Sequence, residues 1–461
     1  MAFRETKQGS SAGAGPAENK MGTMPVRPLV ISMSLPMMAS MLVQALYNIA
    51  DSFFVARLSQ DALSAVTVAF PMQNLMIAVA SGTGVGVNAL LSRSLGEKRQ
   101  DRADNAANMG LVLAFFSYLL FLLVGLFAVK PFVYLQTANP QIREYAVTYT
   151  TIVCCVSIGI FFQVMLERLL QSTGRTTLSM VSQMTGAVIN TIFDPIMIFG
   201  LFGFPRLGIA GAAIATVFGQ CCASCLGLIL NLKYNKEIRL SLKKVLHPQL
   251  VVIHRIYAVG LPSILMVSIG SIMTFSMNRL LSSFTDTATA VFGAYFKLQS
   301  FFFMPVLGIN NGTVPILAYN YGAKRKDRIR ETISFSIKLA LGIMICGMLL
   351  FETIPGKLLS IFSASEELLA IGIPALRRIG IHFPIAACSI ILVSSFQAFS
   401  RSIYSLIISI CRQLIVLIPC AWLLSLTGNI NNIWWCFALA EIMSITLCIF
   451  FFRKISRELE L

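Results

Sequence analysis

The chain has 461 residues, 56% of them hydrophobic and only 12% charged, with a mean hydropathy of +0.77. A water-soluble domain carries about 25% charged residues, so this composition excludes an ordinary soluble fold. The net charge of +16 sits in short runs between apolar stretches. That pattern argues against a nucleic-acid face and for loops on one side of a membrane.

Taken in chain order, residues 1–24 come first, rich in Gly, Ala, Ser and charge. They lack the apolar core of a signal peptide and read as a disordered cytoplasmic tail. Twelve apolar runs follow, at 29–54, 62–91, 107–129, 143–166, 176–200, 208–231, 252–278, 286–317, 331–353, 366–393, 403–425 and 431–452. Each approaches or exceeds the roughly 20 residues a spanning helix needs. Barrel strands would be about ten residues long and alternating. The expectation is an all-α integral membrane protein of twelve spans. With both termini cytoplasmic, most of the 36 Lys and Arg fall on the inner side, as the positive-inside rule requires.

An offset of 226 residues aligns the sequence with itself. Gly96-Glu97-Lys98-Arg99-Gln100-Asp101-Arg102 falls on Gly322-Ala323-Lys324-Arg325-Lys326-Asp327-Arg328, with five of the seven identical. Leu35-Pro36 falls on Leu261-Pro262, Gly82 and Gly86 on Gly308 and Gly312, and Gln171 and Arg175 on Gln397 and Arg401. Six spans per repeat is an even number, so both halves enter the bilayer the same way. The expected organisation is a lobe at 25–232, a cytoplasmic linker at 233–251 and a second lobe at 252–461. Such paired bundles rock about a central cavity. The small residues Gly82, Gly86, Gly308, Gly312, Gly211, Ala215 and Gly219 are expected at close helix contacts.

Polar groups inside apolar spans are expensive and mark function. In the first span Gln44, Tyr47, Asn48 and Asp51 share one helical face, as do Gln183, Asn190 and Asp194 in the fifth. At about 1.5 Å rise per residue, Asp51 and Asp194 reach a similar depth, and Thr216 on the sixth span meets that level from the opposite side. Oxygen ligands of this kind suit Na⁺, while two carboxylates in a low-dielectric pocket resist joint ionisation and can hold a proton. The alternative is that these groups only bond each other and lock the bundle. The second half carries Lys297, Arg377, Arg378, His382, Arg412 and Glu441 instead. These are candidates for cavity, lipid or structural roles, with Arg412 available to pair with Glu441. Its poverty in acids points to one coupling site, in the first lobe.

The eleven cysteines show no zinc-site spacing. No HExxH, GxSxG or Walker pattern appears, so an enzyme is not expected.

The stretches Leu35–Leu58, Gly186–Phe199 and Gly208–Thr216 resemble the multidrug and toxic compound extrusion (MATE) family, in its bacterial MepA-like and DinF-like branches. The resemblance runs over nearly the whole chain from about residue 25. It implies a V-shaped pair of six-helix lobes that exports cationic or amphipathic drugs from the plasma membrane against Na⁺ or H⁺. It places a cation site at Asp51, Asn190, Asp194 and Thr216. Gln44 would lie near the drug cavity, with Tyr47, Asn48, Gln183 and Gln299 as further cavity candidates. The seventh and tenth spans lack Asp, unlike the NorM-like branch, so no ion site is expected in the second lobe. No cofactor beyond the coupling ion is implied, and a monomer is expected. A lipid-linked oligosaccharide flippase of related build is the rival reading. It would use Lys297, Arg377 and Arg378 for a pyrophosphate.

Overall fold

The computed structural model describes residues 19–362 and 365–459. Among them there is no strand. The first lobe consists of α1 (Val26–Leu58), α2 (Gln60–Gly96), α3 (Gln100–Phe127), α4 (Pro140–Cys155 with Ile158–Ser172), α5 (Thr176–Phe199) and α6 (Ile209–Tyr234). The second consists of α7 (Leu250–Ser282), α8 (Asp286–Gly322), α9 (Lys326–Thr353), α10 (Glu366–Gly380 with Phe383–Ala398), α11 (Ser402–Ser425) and α12 (Trp435–Leu459). Among the described residues, nine helices are long and apolar enough to cross a bilayer, and counting the bent pairs of α4 and α10 makes eleven. The twelfth, α5, is diluted by Gln183, Asn190 and Asp194, yet its 24 residues extend about 36 Å.

The repeat reaches down to the helix ends. Ser59 caps α2 and Thr285 caps α8, each accepting a backbone N–H three residues on at 3.0 Å. Asn139 caps α4 and Ser365 caps α10 in the same way. Both of those helices then bend, by 47° and 49°. The turns after α2, α4, α8 and α10 each place one residue in the left-handed region: Lys98, Gly174, Lys324 and Ser400. In each, the arginine that follows (Arg99, Arg175, Arg325, Arg401) donates its N–H to the carbonyl five residues back, at 2.8–2.9 Å. This is the Schellman pattern for ending a helix, in which glycine is the unstrained residue. Only one of the four positions has it.

Each lobe has its own apolar core. Met109, Phe121, Phe161 and Met165 are central in the first, and Phe292, Tyr295, Phe351 and Phe383 in the second. The large exposed side chains, among them Phe127, Leu135 and Phe202, suit a lipid surrounding, since the bilayer replaces water as the solvent for the outer faces.

The lobes touch chiefly along three helix pairs, α1 with α8, α2 with α7 and α2 with α8. The repeated glycines lie at these crossings. A Cβ on Gly308 would sit 2.5 Å from Met38 Cα, and one on Gly312 2.8 Å from the Met33 carbonyl carbon. Gly82 and Gly86 face Ile264 and the Ile256 carbonyl in the same way, while Gly96 and Gly322 abut Tyr319 and Arg93 backbone. All of these contacts fall toward the end that carries the basic turns, here called the basic end. Gly186 and Gly219 pack α5 on α6 within the first lobe.

The expected tail at 1–24 needs correction. Residues 1–18 lie outside the described residues, but Asn19 caps a short helix, Lys20–Thr23, that is seated between the lobes. Met21 is fully buried among Leu29, Met33, Ile316 and Tyr319. Asn320 and Arg328 each donate to the Met21 carbonyl at 3.1 Å, while Asn19 reaches the Thr173 carbonyl on the first lobe at 3.0 Å. One apolar side chain with fixed carbonyls is enough to hold a segment whose composition alone reads as disordered. The segment expected as a linker, 233–251, is bonded to the first lobe. Asp104 accepts the Arg239 N–H at 2.8 Å, and Asn108 accepts that of Ser241 at 2.8 Å.

Candidate functional site

A cavity of about 360 Å³ opens inside the first lobe. Its walls come from α1, α2, α4, α5 and α6, with Asn311 of α8 at the floor. Asp51 lines one wall, and Asp194 lies fully buried behind it. Asp51 and Asp194 stand within hydrogen-bonding range of each other. With the Asn190 amide set so that donors meet acceptors, its Nδ2 donates to Asp194 Oδ2 at 3.0 Å. Its Oδ1 then accepts from Thr216 Oγ1 at 3.1 Å and from the Thr216 N–H at 2.9 Å. Tyr47 and Tyr149 line the cavity with Thr216, and Gln73 donates to the Tyr149 hydroxyl at 3.1 Å.

Helical spacing explains the convergence. Asn190 and Asp194 are one turn apart on α5, and Gly219 lets α6 approach near Asn190. One oxygen of each carboxyl, Asp51 Oδ1 and Asp194 Oδ1, is buried without a protein partner. Unpartnered buried acceptors are costly, and an electropositive partner would satisfy both. Two adjacent carboxyls can share one proton or clamp one hard cation; two bare carboxylates would repel. The oxygens of Asp51, Asp194, Asn190 and Thr216 suit either. Among the described residues no group of three His, Cys, Asp or Glu side chains makes a transition-metal site.

A second polar row lies nearer the basic end. Gln183 Nε2 donates to Gln44 Oε1 at 2.8 Å, and Ser40 bonds Gln183. Asn48 lines the cavity with them. Gln299 does not, lying part-buried on α8 in the other lobe. Lys297 is exposed, its Nζ 5.8 Å from the Phe362 ring. Arg377 pairs with Glu352 at 4.0 Å near the surface, and Arg378 bonds the Asn431 carbonyl. None of these basic residues lines the cavity, which removes the cavity pyrophosphate contact on which the flippase alternative rested. Arg412 and Glu441 pair at 2.9 Å inside the second lobe, where a π-helical turn, Cys411–Leu417, carries Arg412. Buried His382 stacks near Phe437.

Tyr149, Gln163, Glu167 and Arg168 line the cavity but do not stand out in the sequence. The fourth apolar run reads as ending at residue 166, which puts Glu167 and Arg168 in a loop. The helix instead continues to Ser172. A polar Gln163-x-x-x-Glu167 pair at one-turn spacing was the available signal.

A polytopic bundle of two repeated lobes, with a polar cavity sunk in one of them, is the architecture of a secondary transporter. The chain belongs to the MatE family, whose model matches residues 36–196 and 262–423, and it is a multi-pass membrane protein. It is 25% identical to the FAD transporter of Shewanella oneidensis over 94% of this chain and 95% of that one. It is 23% identical to the multidrug export protein MepA of Staphylococcus haemolyticus, over 92% and 93%. Among solved structures, an outward-facing multidrug resistance MATE family transporter superposes with a TM-score of 0.91 at 24% identity, covering 97% of this chain and all of that one. A MOP superfamily transporter from Pyrococcus furiosus gives 0.90 at 23%, with the same coverage. At these identities the structural likeness fixes the fold alone.

Proposed function

We propose that this chain is a secondary active exporter of cationic or amphipathic organic compounds, exchanging them for Na⁺ or H⁺ by alternating access. The observation that carries the reading is the carboxyl pair Asp51–Asp194. Asp194 is fully buried and Asp51 half-buried, each acid keeps one unpartnered buried oxygen, and Asp51 lines the cavity shared by α1, α2, α4, α5 and α6. The names of the relatives support export of organic molecules, though one cargo is FAD and the others are drugs.

The basic end is read as cytoplasmic and the membrane as the plasma membrane, because Lys and Arg gather at the turns after α2, α4, α8 and α10. The lobes meet toward that end, so the state described is open to the outside. Coupling needs each ligand to favour one state through its differential affinity. A cation or proton neutralising Asp51 and Asp194 lets α1 and α5 approach. Pro36 and Pro195 interrupt the backbone bonding of those helices and give them points at which to bend. The monomer is taken as the working unit.

The test is efflux of a fluorescent organic cation from proteoliposomes, with Na⁺ and pH gradients imposed separately. Asp51→Asn and Asp194→Asn are each expected to abolish gradient-driven efflux while the protein still inserts. Wild-type efflux from either variant at equal reconstitution would refute the site.

A further inference from the structure

Arg168 is a cation at the floor of a cavity otherwise furnished with acids and amides. Its Nη1 donates to Gln171 Oε1 at 2.9 Å and, across the lobe boundary, to Asn311 Oδ1 at 3.1 Å. Gln171 is itself fixed, donating to Ser179 Oγ at 2.9 Å. Gly84 makes room for the arginine stem, since a Cβ there would lie 2.7 Å from Arg168 Cγ. Among the described residues Arg168 forms no ion pair. Glu167, next in sequence, is turned to Gln163, whose Nε2 donates to its Oε1 at 3.0 Å. Adjacent residues on a helix do not face one another. The Arg168 guanidinium is half-buried and feels Glu167 only through space, with no direct ion pair; a partly desolvated charge left so is unfavourable and is open to an anionic ligand from the cavity. Its planar fork matches a carboxylate or phosphate.

We propose that Arg168 is a substrate-recognising residue that binds the anionic group of an amphipathic compound, extending the exporter's range to zwitterions and organic anions. This rests on the export reading above. Tyr149, beside the acid pair, is 19 residues from Arg168 along α4. At the helical rise that is about 28 Å, shortened to roughly 25 Å by the 47° bend in α4, longer than a drug-sized molecule. Anion recognition at the floor and cation coupling at the acids are therefore separate, and the flanking Met, Phe and Tyr side chains of the cavity take the apolar body between them. An anion at Arg168 competes with Asn311, among the described residues the one of the second lobe that lines the cavity. Occupancy thereby loosens a polar contact between the lobes.

The experiment compares two probes that differ only in charge at one group: a rhodamine bearing a free carboxylate and its ethyl ester. Equilibrium binding to the full chain in detergent is measured for wild type, Arg168→Gln, Arg168→Lys and Asp194→Asn. The expected result is that Arg168→Gln weakens the carboxylate probe about tenfold, or 1.4 kcal/mol, and leaves the ester unchanged. Arg168→Lys recovers part of the loss, and Asp194→Asn leaves the acid-to-ester ratio as in wild type. Equal weakening of both probes would confine Arg168 to the lobe contact and overturn the proposal, as would no change in either. Failure of wild type to bind either probe would instead count against the export reading itself.

Discussion

Replacing Gly312 with alanine tests the lobe contact directly. A Cβ there would meet the Met33 carbonyl carbon and oxygen and Ser34 Cα, all at 2.8 Å. These are backbone atoms of α1, so no side chain can swing away. Carbon contacts settle near 3.5 Å or more, and the helices must part by roughly 0.7 Å. Overpacking of this sort costs about 1–3 kcal/mol, and alanine returns about 0.5–1 kcal/mol of helix stability over glycine. The net penalty of about 0.5–2 kcal/mol is a roughly 2- to 30-fold shift away from the described state, provided the α1–α8 contact loosens when the lobes rock. Hydrogen exchange should quicken over residues 29–38 and 308–320 in Gly312→Ala. The control is Gly342→Ala on α9, where a Cβ meets nothing within 4 Å and stability should hold or rise. If the two variants exchange alike, the crossing is looser than described and the reasoning fails.

Other expectations follow from the basic end. Lys98→Gly and Lys324→Gly remove side chains from left-handed positions, φ 57° and 56°, and each should stabilise by about 0.5–1 kcal/mol. A melting temperature in detergent that falls for both would contradict the strain. Burial holds the Glu237 carboxyl above its ordinary value, against the opposing pull of Arg175 and Lys20. A raised folded-state value means that the stabilisation is full below the ordinary value of 4.5 and is lost as pH rises through the raised one. Residues 19–24 should therefore open more readily at neutral than at acid pH, after correction for intrinsic exchange. Glu237→Gln should flatten that dependence, and an unchanged slope would exclude Glu237 as its source.

How far the sequence alone reached can be traced residue by residue. Apolar run length determined the helices, because a chain in lipid must satisfy its backbone internally. The 226-residue offset determined that the lobes share one plan, down to the caps Ser59 and Thr285. Helical spacing put Gln183, Asn190 and Asp194 on one face, and depth along the helix brought Asp51 level with them. Tertiary structure decided the rest. Helix spacing within one segment carries no information on which neighbour it meets, so Tyr149 beside Thr216, and Arg168 against Asn311, appear only once α4 and α8 are packed. The same limit misplaced Gln299, whose face depends on how α8 turns against the other lobe. It also hid the seat of Met21, where one side chain in a groove between lobes overrides the disorder suggested by local composition. Spacing along a chain governs what a single helix presents, whereas burial and partnership belong to pairs of helices distant in sequence.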